Sequence, residues 1–195
     1  VVKSLNVKRL RGLGLIALAA LAGCSTPALA PYTSSRDVLF HLQQLPPGKA
    51  AVGAVTGGPR SLEAAAEGLV CDIKVRKGAD GRPFDYRDYI RDSLIAELQS
   101  ANRYDAAQGQ PVITGTVEYL SMERELPFKA TWVVLLKLTS SNGAELEVRG
   151  DHEFDLGDLA GYTGCVRAVR AFEPAVRTAL EAAARSPRFG TLLAS

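Results

Sequence analysis

The residue types that carry most enzyme chemistry are scarce in this chain. It has two histidines, three cysteines, one tryptophan and one methionine among 195 residues. His152 reads as a histidine packed beside Trp132 in the sheet rather than a ligand, since the only other histidine is His41, and no metal site is expected. The glycines between Gly53 and Gly58 are not followed by Gly-Lys-Ser/Thr, which leaves a phosphate loop unsupported, and Gly-x-Ser-x-Gly does not occur. The apolar run Gly12 to Ala22 has eleven residues. That is well short of the roughly 20 a membrane-spanning helix needs. No internal repeat is visible, and no catalytic residue or cofactor is expected.

The N-terminus is organised instead. Lys3, Lys8, Arg9 and Arg11 precede the apolar run with no acid among them, and the run closes on Leu21-Ala22-Gly23-Cys24. A basic stretch followed by a short apolar one is the layout of a secretory leader. An ordinary buried helix would fit the flanking charges and the cysteine poorly. Cleavage without lipid is a second alternative, for which Pro27-Ala28-Leu29-Ala30 offers small residues. The four residues ending at Cys24 resemble the lipobox of bacterial lipoproteins. That resemblance implies removal of residues 1–23, a diacylglyceryl thioether on Cys24 and an acylated amine. Several acyl chains, at about 0.8 kcal/mol per buried methylene, anchor stably where one is marginal. Ser25, rather than Asp, resembles the outer-membrane sorting class. The expectation is an outer-membrane anchor with the domain in the periplasm.

Removing the leader changes the electrostatics. It carries four of the 23 basic residues and none of the 21 acidic ones, so the chain from Cys24 onward has a net charge of −2. A mildly acidic protein is a poor general binder of nucleic acid. Residues 24–37, rich in Ser, Thr, Pro and Ala, read as a flexible tether. At about 3.3 Å per residue it could hold the domain up to roughly 40 Å from the bilayer. Residues 38–195 then form a single domain.

Within that domain, Asp37 to Leu45 reads as a helix or a strand. Lys49 to Val55 reads as a strand stopped by Thr56-Gly57-Gly58-Pro59, and Leu69 to Arg76 as a half-buried strand. A helix is expected from Asp85, its N-cap, with Ile90, Leu94, Leu98 and Ala101 as the apolar stripe, fraying near Asn102. Val112 to Met122 places Ile113, Val117 and Tyr119 on one strand face. Thr131 to Ser140 groups Trp132, Val134, Leu136 and Leu138, and Glu145 to Phe154 groups Leu146, Val148, His152 and Phe154.

The Asn142-Gly143 turn fixes the register between the last two strands. A two-residue loop would throw their apolar faces to opposite sides. A three-residue loop, with Gly143 left-handed, pairs Leu138 with Leu146, Leu136 with Val148 and Trp132 with His152. A final helix from Tyr162 to Arg185 carries Val169, Phe172, Val176, Leu180 and Ala183 inward, with Pro174 as a kink or restart. The fold class is α+β: a mixed or antiparallel sheet of about four to five strands with two main helices on one face.

Cys71 falls on the inner face of its strand, and Cys165 lies on the inner stripe of the last helix. With Cys24 spent on lipid, an even pair remains in an oxidising compartment, and a Cys71–Cys165 disulfide is expected. Its stabilisation would be on the order of 4 kcal/mol. Two buried thiols are the alternative; a catalytic thiol lacks a neighbouring histidine. Asp151, Glu153, Asp155 and Asp158 loosely suggest a calcium loop, yet the first three are simply outward strand positions. Asp85, Asp88 and Asp92, interleaved with Arg87 and Arg91, read as an ion-paired helix face.

The element order is similar to that of YajG-type lipoproteins, the LPS-assembly lipoprotein LptE, and the N-terminal domains of TolB and CsgG. Tyr89-Ile90, the Ser140-Ser141-Asn142-Gly143 hairpin, Cys165 and Ala171-Phe172-Glu173-Pro174-Ala175-Val176 resemble a group of uncharacterised proteobacterial outer-membrane lipoproteins. The resemblance implies a non-enzymatic accessory or binding subunit of an envelope assembly. The partners would be the membrane, through Cys24, and an envelope protein. The alternative is a periplasmic carrier with a groove for a lipid or glycan.

Overall fold

The computed structural model describes residues 28–61, 76–77, 82–126, 128–157 and 162–194. Its elements in order are β1 (Ala28–Leu29), α1 (Arg36–Gln44), β2 (Ala51–Arg60), β3 (Arg76–Lys77) and β4 (Arg82–Pro83). They continue with α2 (Tyr86–Ser100), β5 (Val112–Leu126), β6 (Lys129–Ser140), β7 (Glu145–Asp155), α3 (Tyr162–Arg185) and α4 (Phe189–Leu192). The main sheet runs β2-β5-β6-β7, with β2 parallel to β5 and the other pairs antiparallel. It is therefore a mixed four-stranded sheet in an α+β fold. A small second sheet, β1-β3-β4, has two residues per strand.

The β6–β7 pairing has the register that the three-residue loop demands. Leu138 faces Leu146, Leu136 faces Val148 and Trp132 faces His152. Gly143 sits at φ +88°, where a side chain would be strained, and donates to the Ser140 carbonyl at 2.9 Å. Trp132, Val134, Leu136 and Leu138 are all buried, as are Leu146 and Val148. Outward along β7 stand Glu145, Glu147, Arg149, Asp151, Glu153 and Asp155, all exposed. One face of this strand thus packs on the core and the other is solvated.

The helices cover the apolar face. Asp85 caps α2 by accepting the Arg87 N–H at 2.8 Å, and Ile90, Leu94 and Leu98 are buried. The helix stops where Asn102 turns left-handed at φ 56°. In α3, Phe172, Val176, Leu180 and Ala183 are buried and Val169 packs beside them. The helix runs through Pro174 without a restart, and the Thr178 hydroxyl donates to the Pro174 carbonyl at 3.0 Å. It lies so close on β7 at Gly150 that a Cβ there would sit 2.4 Å from the Ala179 nitrogen. Only glycine permits that approach.

Three expectations change. Tyr119 does not share a face with Ile113 and Val117, because a bulge between Val117 and Tyr119 advances the strand by one residue. Leu120 then turns inward, fully buried, and the Tyr119 hydroxyl donates to Glu123 at 2.9 Å. Thr56 to Pro59 does not stop β2, which continues to Arg60 through two register shifts. An edge strand tolerates both the bulges and the proline.

The third change concerns the tether. Residues 28–37 are not a loose linker: Leu29 is buried, β1 pairs with β3, and Ser35 caps a helix already under way at Arg36. The expected Leu69–Arg76 strand lies, up to residue 75, outside the described residues.

Candidate functional site

A cluster of polar contacts lies where residues 28–35 cross α2 and α3. Its centre is Glu97, which is 1% exposed. Seven residues after Ile90 and three after Leu94, it lies on the inner stripe of α2. The Tyr32 hydroxyl donates to its Oε1 at 2.5 Å and the Ser35 N–H to the same oxygen at 2.8 Å. Oε2 is buried and has no hydrogen-bond partner.

Other contacts fasten the same segment. The Ser35 hydroxyl donates to Glu181 of α3 at 3.0 Å, the Ser34 hydroxyl to the Ala96 carbonyl at 3.3 Å, and the Tyr89 hydroxyl to the Ala30 carbonyl at 3.2 Å. Arg177 is ion-paired with Glu173 one turn before it.

Burial governs the ionisation of these groups. It pushes the Glu97 carboxyl above its usual range against the pull of the Tyr32 and Ser35 hydrogen bonds and of Arg177. It raises both phenols as well: Tyr32 by burial and then by its bond to Glu97, Tyr89 by burial and then by the nearby charge of Glu173. Both tyrosines are therefore neutral donors over the physiological range. A neutral phenol on a buried carboxyl binds and positions, and here it is the chain's own N-terminal segment that is held.

An aromatic cluster adjoins this junction. Tyr32 meets Tyr89 edge-on at 6.4 Å, and Phe172 touches Phe84, Tyr89 and Trp132 with centroids 5.4–5.7 Å apart. The Trp132 indole N–H donates to the Ala168 carbonyl at 2.8 Å, so the ring is fixed at both ends. His152 faces Trp132 across the strands, and burial lowers its pKa.

The residues singled out from sequence are distributed as follows. Cys24 and Cys71 lie outside the described residues. Cys165, half-buried in the first turn of α3, is disulfide-bonded. Asp151 pairs with Arg149, Glu153 with Lys129, and Asp155 with Arg167, while Asp158 lies outside the described residues. Among the described residues no group of three His, Cys, Asp or Glu could hold a metal ion. On α2, Arg87 pairs with Asp85, and Arg91 with Asp88 and Asp92, as an exposed ion-paired face requires.

Sequence reasoning missed Tyr32, Ser35 and Glu97. Composition put the first two in a tether, although a carboxylate on the apolar stripe of α2 was a readable sign of a buried partner.

No family model and no curated protein matches this chain. Its fold is similar to that of protein XCC0632 from Xanthomonas campestris, described under the family model DUF330. The two share 16% identity over 84% of this chain and 95% of that one, with a TM-score of 0.51. The hypothetical protein CT253 from Chlamydia trachomatis matches 76% of this chain and 98% of its own at 9% identity and a TM-score of 0.41. A PelC dodecamer from Paraburkholderia phytofirmans matches 80% and 96% at 16% identity and a TM-score of 0.21. At these identities the likeness to XCC0632 is one of fold.

Proposed function

We propose that this chain is a non-enzymatic lipoprotein of the bacterial envelope, anchored at the outer membrane through Cys24, whose periplasmic domain is a binding subunit of an envelope assembly. The observation that carries the reading is the leader: four cations, eleven apolar residues and Leu21-Ala22-Gly23-Cys24. No helix among the described residues is long and apolar enough to cross a membrane, so a lipid is the means of attachment the reading supplies. The disulfide at Cys165 accords with an oxidising compartment. Its proposed partner is Cys71. The reading favours a binding subunit over a ligand carrier because the layer between helices and sheet is filled by Leu94, Leu98, Leu136, Phe172 and Val176, each 3% exposed or less.

Two measurements test the proposal. In the native host, labelled palmitate should enter the protein and the label should vanish in Cys24→Ala, with the protein lost from outer-membrane fractions. Crosslinking in intact envelopes should then recover a specific protein partner. An unacylated product in the cytosol would refute the anchor, and repeated recovery of no partner would refute the subunit.

A further inference from the structure

Residues 28–35 are held to the domain by one short strand pairing, the buried Leu29 and a few side-chain contacts. Their sheet contribution is β1, two residues long. Downstream of that, two of the polar contacts, from Tyr32 and Ser35, meet on the Glu97 carboxyl, beside single hydrogen bonds to Glu181, the Ala96 carbonyl and the Tyr89 hydroxyl. A buried carboxyl with one oxygen unpartnered is a costly arrangement, because the group has left water without replacing all its hydrogen bonds. The cost persists only while Tyr32 and Ser35 stay in place. If they leave, Glu97 regains water, so the junction contains a driving force for its own opening.

Its place in the chain gives that opening a consequence. Only residues 25–27 separate Cys24 from β1, a span of about 10 Å when extended. With residues 28–34 released, the extended span from Cys24 to the α1 cap at Ser35 grows to roughly 35 Å. We propose that residues 28–35 are a strap latched on Glu97, and that unlatching it switches the domain from lying against the bilayer to standing off it. The claim of reach rests on Cys24 being the anchor, whereas the latch itself does not.

The charges around the latch set its response. Tyr32 faces Glu97 from the strap, and from α3 come Arg177, which favours the carboxylate, and Glu181, which opposes it. Glu173 acts on Tyr32. Because burial raises the carboxyl's pKa in the latched state, latching takes up a proton. The latch is strongest below the ordinary value of 4.5 and weakens as pH rises through the raised one.

The test uses the full lipidated chain on vesicles carrying a dansyl-headgroup lipid. Hydrogen exchange of the peptide spanning 29–35 reads the latch, since the Ser35 amide donates to Glu97. Energy transfer from Trp132, the only tryptophan, reads the height of the domain. In Glu97→Ala, strap exchange should rise at least tenfold and transfer should fall, while exchange in β5–β7 stays as in the wild type. Glu97→Gln keeps the acceptor and should keep the strap protected as pH rises above the ordinary carboxyl range, where the wild type loosens. Tyr32→Phe, which leaves the carboxyl in place, should raise strap exchange by a smaller factor.

Unchanged strap exchange in both Glu97→Ala and Tyr32→Phe would overturn the latch. So would strap loosening in Tyr32→Phe that occurs only together with loosening of β5–β7. Strap release without a change in transfer would overturn the switch in height. Absence of transfer in every variant would defeat the anchor, leaving the exchange measurement to decide the latch.

Discussion

The β6–β7 ribbon and the N-terminal strap are held in opposite ways. Eleven consecutive residue pairs join β6 to β7 without a shift, and Leu146, Val148, His152 and Phe154 of β7, with Gly150 between them, face the core side. The strap has two backbone pairs, the buried Leu29 and a few hydrogen bonds, two of them on the Glu97 carboxyl. In the ribbon, loss of any one contact leaves the neighbours to hold register. In the strap, removal of Glu97 takes away the two hydrogen bonds made by Tyr32 and the Ser35 amide at once. Redundant apolar contacts secure the first region, and a few specific polar contacts the second.

The contrast can be broken most forcefully from the ribbon side. Phe172, 3% exposed, packed edge-on against Trp132 and Phe84 and tilted against Tyr89, ties α3 to the sheet. Phe172→Ala should cost about 3–5 kcal/mol and lower the urea midpoint of the whole domain, strap included. Gly150→Ala comes next. Its Cβ would press on the Ala179 backbone, and overpacking of this kind costs about 1–3 kcal/mol, again read as a shift of the global midpoint.

Smaller effects should separate the two regions. Tyr32→Phe should cost about 1–2 kcal/mol, and trypsin should cut at the exposed Arg36 sooner while the global midpoint moves little. Titration sharpens the comparison because the signs differ. His152 in β7 has a pKa held below 6.5 by burial, so its neutral form is favoured by folding. The stability it contributes is present above 6.5 and is lost as pH falls through that value toward the depressed one. Glu97 behaves in the reverse sense, since its contribution falls as pH rises. Urea midpoints measured from pH 5 to 8 should therefore lose part of their acid-side slope in His152→Gln, while strap exchange keeps its alkaline-side slope. At the bottom of the scale, Arg149→Ala removes an ion pair with Asp151 between two exposed side chains and should leave the midpoint unchanged.

What could be read from the sequence follows the same division. Period-two alternation and the left-handed glycine were enough to place Trp132 opposite His152, because one choice of loop length decides every pair beyond it. The stripe of α2 and its Asp85 cap were equally plain. Local periodicity failed where the chain departs from a period. The bulge at Val117/Tyr119 exchanges the faces of β5, and nothing in Val-Glu-Tyr-Leu announces it. The glycines and proline of β2 read as a stop, although an edge strand absorbs them.

The site was hidden for a different reason. Tyr32 and Ser35 sit among Pro, Ser and Thr, and their partner Glu97 is 65 residues away from the tyrosine. Such a contact depends on how helices are docked, which alternation along one segment does not encode. Cys24 and Cys71 remain readings of the sequence.

Arg103, just beyond α2, accounts for one further property of the chain. Its guanidinium donates to the carbonyls of Leu42, Leu45, Pro46 and Gly48 at 2.8–3.2 Å. The turn from α1 into β2 is thus shaped around a planar cation from a segment more than fifty positions downstream. Lysine, with three donors on a single nitrogen, cannot serve four diverging carbonyls, so a charge-preserving exchange here would act as a deletion. The course of residues 42–48 is written as much in that one arginine as in their own prolines and glycine.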